Sequence, residues 1–248
     1  MLTKDHLVTS GTTLFRWRSF VLTAFFPAMA ITIAKGHWVE MTFGSAAGRL
    51  VEWLALAMVV LGLCIRIYTV GHVPTRTSGR NTRGQVADTL NTTGLYAMVR
   101  NPLYLGNAIS YLGAAFYTQN LMLPVLLALV LALYFERIIA AEEAFLVTQF
   151  GTQYTDWAER TPAFFPAFRL WQKPAMPFSW RSVIAREHPT WAGAVVMLYL
   201  IEMAASHFEG APMLDRPGWH AALGCAVIGQ ILLMLVKRTT TLLQVAGR

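Results

Sequence analysis

Long apolar runs, separated by short polar or basic stretches, organise this chain. They lie near residues 19–34, 50–70, 102–118, 121–139, 190–205 and 219–236, and about 17–25 mainly apolar residues are needed for one transmembrane helix. The pattern predicts an all-α, polytopic integral membrane bundle of about six spans. The first run carries Pro27, which neighbouring helices can accommodate in a bundle. No apolar region followed by a small-residue cleavage site stands out, so this run reads as a retained helix rather than a removed signal.

Three hydrophilic or mixed stretches interrupt the runs, at 71–95, 140–189 and 203–218. The third and fourth spans are joined only by Thr118, Gln119 and Asn120, which predicts a tight antiparallel hairpin. Its two outer ends, near residues 100 and 142, then return to the same surface. Gly106 and Ser110 on one arm, and Ala128 and Ala132 on the other, have the four-residue spacing that lets membrane helices approach closely. The chain divides into an N-terminal segment with the first span (1–49), a core (50–170), and an interfacial segment with a C-terminal two-helix hairpin (171–248).

Composition agrees with the pattern: 55% of the 248 residues are hydrophobic and 13% charged, against about 25% charged in soluble domains. The positive-inside rule gives orientation. Of the 20 Lys and Arg residues, only Lys35, Arg49 and Arg216 fall on the far side. Both termini and the 71–95 and 140–189 stretches are therefore expected in the cytoplasm, for a protein of the cell inner membrane. The formal charge of +7 reads as a topology signal and an attraction to anionic head groups, and its distribution does not resemble a nucleic-acid footprint. Cys64 and Cys225 sit inside spans without a Cys-x-x-Cys pair and read as apolar packing residues. The six His residues are scattered, and no metal site is expected.

Candidate chemistry gathers at the open end of the hairpin. Asn101 and Pro102 are favoured at the N-cap and first position of a helix, and Arg100 stands beside them. A helix N-terminus with an arginine attracts an anion. Beyond the fourth span come the adjacent carboxylates Glu142 and Glu143, which attract a cation. Read separately, these are a helix start with a topology charge and a pair of solvated interface carboxylates. Together they describe a site for a zwitterion such as S-adenosylmethionine, which has a carboxylate, an ammonium, a sulfonium and a ribose diol beside a flat adenine.

"TTGLYAMVRNPLYLG" followed by "EEAFLVTQFGTQYTDWAERTPAFFP" resembles the isoprenylcysteine carboxyl methyltransferase family and its relatives among phospholipid methyltransferases. Those proteins carry Gly-x-Tyr-x-x-x-Arg-His-Pro-x-Tyr and, downstream, Glu-Glu, Phe-Gly-x-x-Tyr and Arg-x-Pro. The resemblance covers roughly residues 50–166. It implies an S-adenosylmethionine-dependent methyltransferase in which Tyr96, Asn101, Pro102, Leu103 and Tyr104 lie along the cofactor, with Arg100 at the same helix start. It also implies backbone contacts from Asp88, Thr89, Leu90 and Asn91, an ammonium or ribose end held by Glu142 and Glu143, and Arg160 facing the methyl acceptor. Asn101 replaces the usual His, and Ala163 stands where many bacterial members have a further Arg.

Sulfonium methyl transfer is an in-line displacement, so alignment and exclusion of water are the main demands on the protein. A carboxylate or phosphate acceptor is already ionised near neutral pH and needs only a cation such as Arg160. An amine acceptor must lose a proton, for which Glu142, Glu143 or Tyr104 are the candidates. With no residue dedicated to that role, the sequence favours O-methylation of a membrane-embedded lipid or lipidated acceptor. The alternatives are a phospholipid N-methyltransferase and, in another class, a non-catalytic transporter or scaffold. An ion-coupled transporter should carry ionisable residues near mid-helix, whereas Arg66, Glu136 and Arg137 lie toward the helix ends. Two further stretches complete the reading. The loop with Arg76, Arg80 and Arg83 suits an anion-binding surface, or a basic loop at an anionic membrane. Residues 160–189, rich in Pro, Phe and Trp with interspersed basic residues, suit the membrane interface as an anchor or a lid.

Overall fold

The structure, a computed structural model, describes the backbone of residues 3–75, 77, 86–212 and 216–247, and the side chains of these except 3–5 and 18–22. The loop arginines 76, 80 and 83 lie outside the described residues. Among the described residues ten α-helices form and no β-strand. They are α1 (Thr3–Val21), α2 (Phe26–Ala34), α3 (Trp38–Phe43), α4 (Ser45–Gly71), α5 (Leu95–Met98), α6 (Pro102–Phe116), α7 (Met122–Phe150), α8 (Thr152–Arg160), α9 (Trp180–Phe208) and α10 (Pro217–Thr239).

Four of them, α4, α7, α9 and α10, are long and apolar enough to cross a membrane. The two other runs expected to span depart from that expectation. The first is broken by the 3₁₀ turn Leu22–Phe25, after which Pro27 stands in the opening turn of α2, a position that tolerates its missing N–H. The second, α6, has 15 residues, a rise of about 22 Å at 1.5 Å per residue. By contrast α7 has 29 residues and a rise of about 43 Å, more than a hydrocarbon core of about 30 Å requires. Its last turns, which hold Glu142 and Glu143, therefore extend beyond the apolar segment. Gly151, at φ 55°, ends α7 and opens α8; glycine takes that left-handed conformation without a steric penalty.

The small residues of α6 make their close approach to α4, not to the other arm of the hairpin. A Cβ added at Gly62 would meet the Gly106 carbonyl and Ser110, and one added at Gly113 would lie 2.7 Å from the Ala55 carbonyl oxygen. The Ser110 hydroxyl donates to the Val59 carbonyl at 3.2 Å. Ala128 and Ala132 are instead exposed on α7, so that pair makes no close crossing. The helix contacts α7 uses for packing come from a different face, where Leu127, Leu131, Phe135 and Ile138 join Phe15 of α1 and Ala108 and Ala115 of α6. A second cluster joins Ala55 and Val59 of α4 to Leu198, Ile201 and Ala205 of α9.

α10 has no buried residue, and its Ile228, Ile231, Leu232 and Leu235 are exposed. An apolar exposed surface of this kind suits lipid contact, and with the four long helices it makes this an integral membrane protein. Cys64 and Cys225 are exposed on α4 and α10, not packed inside as expected. At the closed end of the hairpin, Gln119 is fully buried at φ 55°. Its amide donates to Glu52 at 2.8 Å and accepts from the Glu40 N–H at 3.2 Å. This ties α3, α4 and the hairpin turn together.

Candidate active site

The open end of the hairpin brings the two sequence motifs together. Asn101 precedes Pro102 at the start of α6, as the sequence predicts, yet the Asn101 side chain does not cap the helix. Its amide nitrogen donates to the Ala163 carbonyl at 3.0 Å. The first turn of an α-helix has N–H groups without intrahelical partners, and here no side chain caps them.

One turn into α6, the Tyr104 hydroxyl donates to Glu142 Oε1 at 2.8 Å. Charge-assisted hydrogen bonds of this type are the strong ones, and this one fixes the register of α6 against the end of α7. The Tyr104 ring lies 5.1 Å from that of Phe135, which in turn stacks on Phe164 at 6.1 Å. Pro102 is buried and Leu103 half-buried beside it.

Arg100 is engaged more fully than an open anion receptor would be. One terminal nitrogen lies 2.7 Å from Glu143 Oε1. The other donates to the carbonyls of Ala158 and Thr161 at 2.7 and 3.1 Å. Arg100 thus joins α6 to the ends of α7 and α8, and the expected opposition of one cation and two carboxylates is a closed ion pair on the Glu143 side. Its Nε is buried and has no hydrogen-bond partner.

Two tyrosines border this cluster. Tyr96 lies in α5, which follows Gly94 at φ 63°. Burial pushes its phenol well above the ordinary range, Glu142 adds to the shift, and Arg186 and Arg66 oppose it. Tyr154 of α8 is raised by burial and then by Glu143, with Arg100 opposing. Tyr154 stood in the Phe-Gly-x-x-Tyr motif, and that motif was the signal that could have placed it here. The stretch Asp88 to Asn91 leads into Gly94, with Asp88 and Thr89 exposed and Leu90 and Asn91 half-buried.

Arg160 sits apart from the carboxylates. It is exposed at the end of α8, and its Nε donates to the Asp156 carbonyl at 2.9 Å. With Arg100, Phe165 and Arg169 it lines a shallow hollow of about 470 Å³. The segment behind that hollow is strapped to the α5–α6 junction. The Arg100 N–H donates to the Pro162 carbonyl, Ala167 to Met98, and Gly94 to Gln172, at 2.9, 2.9 and 3.1 Å.

Sequence reasoning also missed a buried ion pair between α4 and α9. Arg66 donates from Nε and Nη2 to Glu187 at 2.7 and 2.8 Å, and from Nη1 to Asn107 of α6 at 2.7 Å. Glu187 reads in the sequence as one acid among basic residues, so nothing local marks it.

Comparison with known proteins converges on this region. Residues 50–153 match the phospholipid methyltransferase family. The chain is 34% identical over 123 residues to the cobalt-zinc-cadmium resistance protein CzcN of Cupriavidus metallidurans, covering 48% of this chain and 54% of that protein. It is 39% identical over 77 residues to protein-S-isoprenylcysteine O-methyltransferase of Schizosaccharomyces pombe, 31% of this chain and 33% of the relative. To protein-S-isoprenylcysteine O-methyltransferase B of Arabidopsis thaliana it is 30% identical over 145 residues, 57% and 64% of the two chains. The chain spans about half the length of the first curated relatives it matches. No solved structure matches. The motif halves that meet at Tyr104–Glu142 and Arg100–Glu143 fall inside the matched segment, and through that segment the chain is similar to the phospholipid methyltransferase family and to the protein-S-isoprenylcysteine O-methyltransferases.

Proposed function

We propose that this protein is an S-adenosylmethionine-dependent methyltransferase acting on a membrane-embedded lipid or lipidated acceptor, by O-methylation of a carboxylate or phosphate. The observation that carries the reading is the pairing of Tyr104 with Glu142 and of Arg100 with Glu143, which sets two carboxylates beside the uncapped start of α6.

The chemistry of these groups fits the cofactor's poles. Unsatisfied N–H groups at a helix start suit a carboxylate, and the buried, unpartnered Arg100 Nε adds a donor there. Glu142 and Glu143 suit an ammonium or a ribose diol, and the Tyr96 and Tyr104 rings give a flat wall. When bound, S-adenosylmethionine supplies an electrophilic methyl group. The work left to the protein is to orient the two reactants and exclude water, worth as much as about 7–11 kcal/mol in favourable intramolecular cases. Asp88, Thr89, Leu90, Asn91, Asn101, Pro102 and Leu103 complete the proposed cofactor contacts. Arg160, at the rim of the hollow, is proposed to hold an anionic acceptor.

Tyr96 and Tyr154 add no base to the candidates already named for an amine acceptor, Glu142, Glu143 and Tyr104. Tyr96 and Tyr154 are both held protonated by burial and nearby carboxylates, which makes either a poor base near neutral pH. The decisive experiment supplies methyl-labelled cofactor with total membrane lipid and membrane protein, then treats the product with base. A base-labile label supports a carboxyl ester; a base-stable label that mass spectrometry places on an amine nitrogen shows N-methylation and overturns the O-methyl reading. In calorimetry Glu142→Gln and Glu143→Gln should each weaken cofactor binding, and unchanged affinity in both removes them from the site. Arg160→Ala should lower turnover with cofactor binding nearly intact.

A further inference from the structure

The segment 161–179, which the methyl-transfer reading uses only as a backing, has a distinct outward face. Hydrogen bonds to neighbouring elements hold its backbone, among them those from the Arg100 and Asn101 side chains to the Thr161 and Ala163 carbonyls. Besides the three to residues 94–100, the Ala175 N–H donates to Thr93 Oγ1 at 3.1 Å and the Ser179 N–H to the Gly71 carbonyl at 2.9 Å. A backbone fixed this way presents its side chains in one arrangement. Phe165 and Phe168 are 82% and 77% exposed, and Trp171 and Trp180 are 53% and 61% exposed. Arg169, Lys173 and Arg181 alternate with them and are also exposed. The hollow of about 470 Å³ opens between Arg160 and Arg169, with Phe165 on its wall.

The depth of this face in the membrane follows from its attachments. It is bonded to Met98 and Arg100, immediately before α6 enters the apolar region. It also leads directly into Trp180 at the start of α9, a helix long and apolar enough to span. That is the level of the lipid head groups, where exposed aromatic rings and basic side chains both find partners. A soluble acidic partner would satisfy the arginines and lysine but would leave four large rings in water. An anionic phospholipid satisfies both.

We propose that the strap 161–179 is a seat for a resident anionic glycerophospholipid, its phosphate at Arg169 on the wall of the hollow and its glycerol and upper acyl chains beside Phe165 and Phe168. The hollow is also lined by Arg100 and Arg160, so the seat adjoins the proposed methyl-transfer site, but its occupancy is read without cofactor and without turnover.

The test is retention of lipid by the full chain, purified without cofactor from vesicles of equal phosphatidylglycerol and phosphatidylcholine and read by native mass spectrometry. The wild type should keep phosphatidylglycerol in preference to phosphatidylcholine. Arg169→Glu reverses one charge at the hollow and should lower that retention about thirtyfold, as expected for two charge units at an anionic surface. Phe168→Ser should lower it as well. Arg238→Glu, at the basic end of α10 and outside the strap, should leave it unchanged. Arg169 and Phe168 are exposed, so unchanged thermal unfolding of the variants is expected; Arg169→Ala replaces Arg169→Glu if the latter fails to fold. Equal retention of the two lipids by the wild type overturns the proposal, as does an equal loss in Arg169→Glu and Arg238→Glu. Loss with Arg169→Glu but none with Phe168→Ser overturns it in favour of a free-anion site.

Discussion

Glu187→Ala tests the ion pair between α4 and α9. Arg66 and Glu187 are 8% and 2% exposed, so neither charge is screened by water. Arg66 donates two hydrogen bonds to Glu187 at 2.7 and 2.8 Å, while the Asn107 side-chain oxygen accepts one more from Arg66 at 2.7 Å. Removing the carboxylate strands a buried guanidinium with one neutral acceptor. Breaking such a pair from one side costs about 3–5 kcal/mol. For a chain of this size that corresponds to a fall in unfolding midpoint of about 6–20 °C.

The assay is thermal unfolding in detergent micelles followed by circular dichroism, with the double variant Arg66→Met/Glu187→Leu beside the single one. Replacing both partners with apolar groups of similar size removes the desolvation penalty together with the attraction, and is often neutral or stabilising. The double variant should therefore recover most of the loss. A Glu187→Ala midpoint within a degree or so of wild type would sink the claim that this pair is dry. A double variant as damaged as the single one would show that shape, rather than charge, holds α9 in place.

Three other outcomes follow from the same structure. Gly62→Val should destabilise the protein by about 1–3 kcal/mol, the usual range for overpacking, because its side chain would meet the Gly106 carbonyl. Gly224→Ala, with nothing within 4 Å, serves as the tolerated control in the same unfolding assay. Tyr104→Phe removes a hydrogen bond to a charged group, worth about 1.5–3 kcal/mol, and should lower the midpoint unless Glu142→Gln is already present. Tyr96 and Tyr154, raised by burial, favour folding below the ordinary phenol range near about pH 10, and that contribution is lost only as pH climbs through their raised folded values. In an alkaline absorbance titration of the folded protein, Tyr96→Phe and Tyr154→Phe should therefore leave the phenolate signal near pH ~10 unchanged; a reduced signal there refutes the assignment.

What the sequence made legible was the meeting of polar groups at the end of the hairpin. Arg100, Tyr104, Glu142 and Glu143 are conspicuous against apolar helices, and a connection of a few residues leaves their ends little freedom to separate. Their individual bonds were not legible. Asn101 is a good cap by local preference, but the Ala163 carbonyl, 62 residues away, competes for its amide. The spacing of Gly106 and Ser110 correctly marks a close crossing, yet small residues do not name the helix that approaches, and the partner is Gly62 of α4. Cys64 and Cys225 mislead for a reason peculiar to membranes: an apolar side chain is as comfortable against lipid as inside the bundle, so hydrophobicity does not distinguish the two.

The C-terminal helices gain a physical role from the same ion pair. Arg66 and Asn107 lie inside the matched segment 50–153, while Glu187 lies beyond it and completes their hydrogen bonds. At the opposite end of the bundle, Glu202 of α9 accepts from Tyr117 at 2.8 Å and pairs with Arg216, just before α10, at 3.0 Å. One helix thus closes polar groups of the core at two levels along its length. A buried guanidinium in a membrane is costly without its counter-charge. The core therefore depends on α9 for electrostatic closure as well as for the apolar contacts of Leu198, Ile201 and Ala205. Arg186 of α9 also opposes the rise that burial and Glu142 impose on the Tyr96 phenol, so α9 bears on the edge of the proposed cofactor site as well.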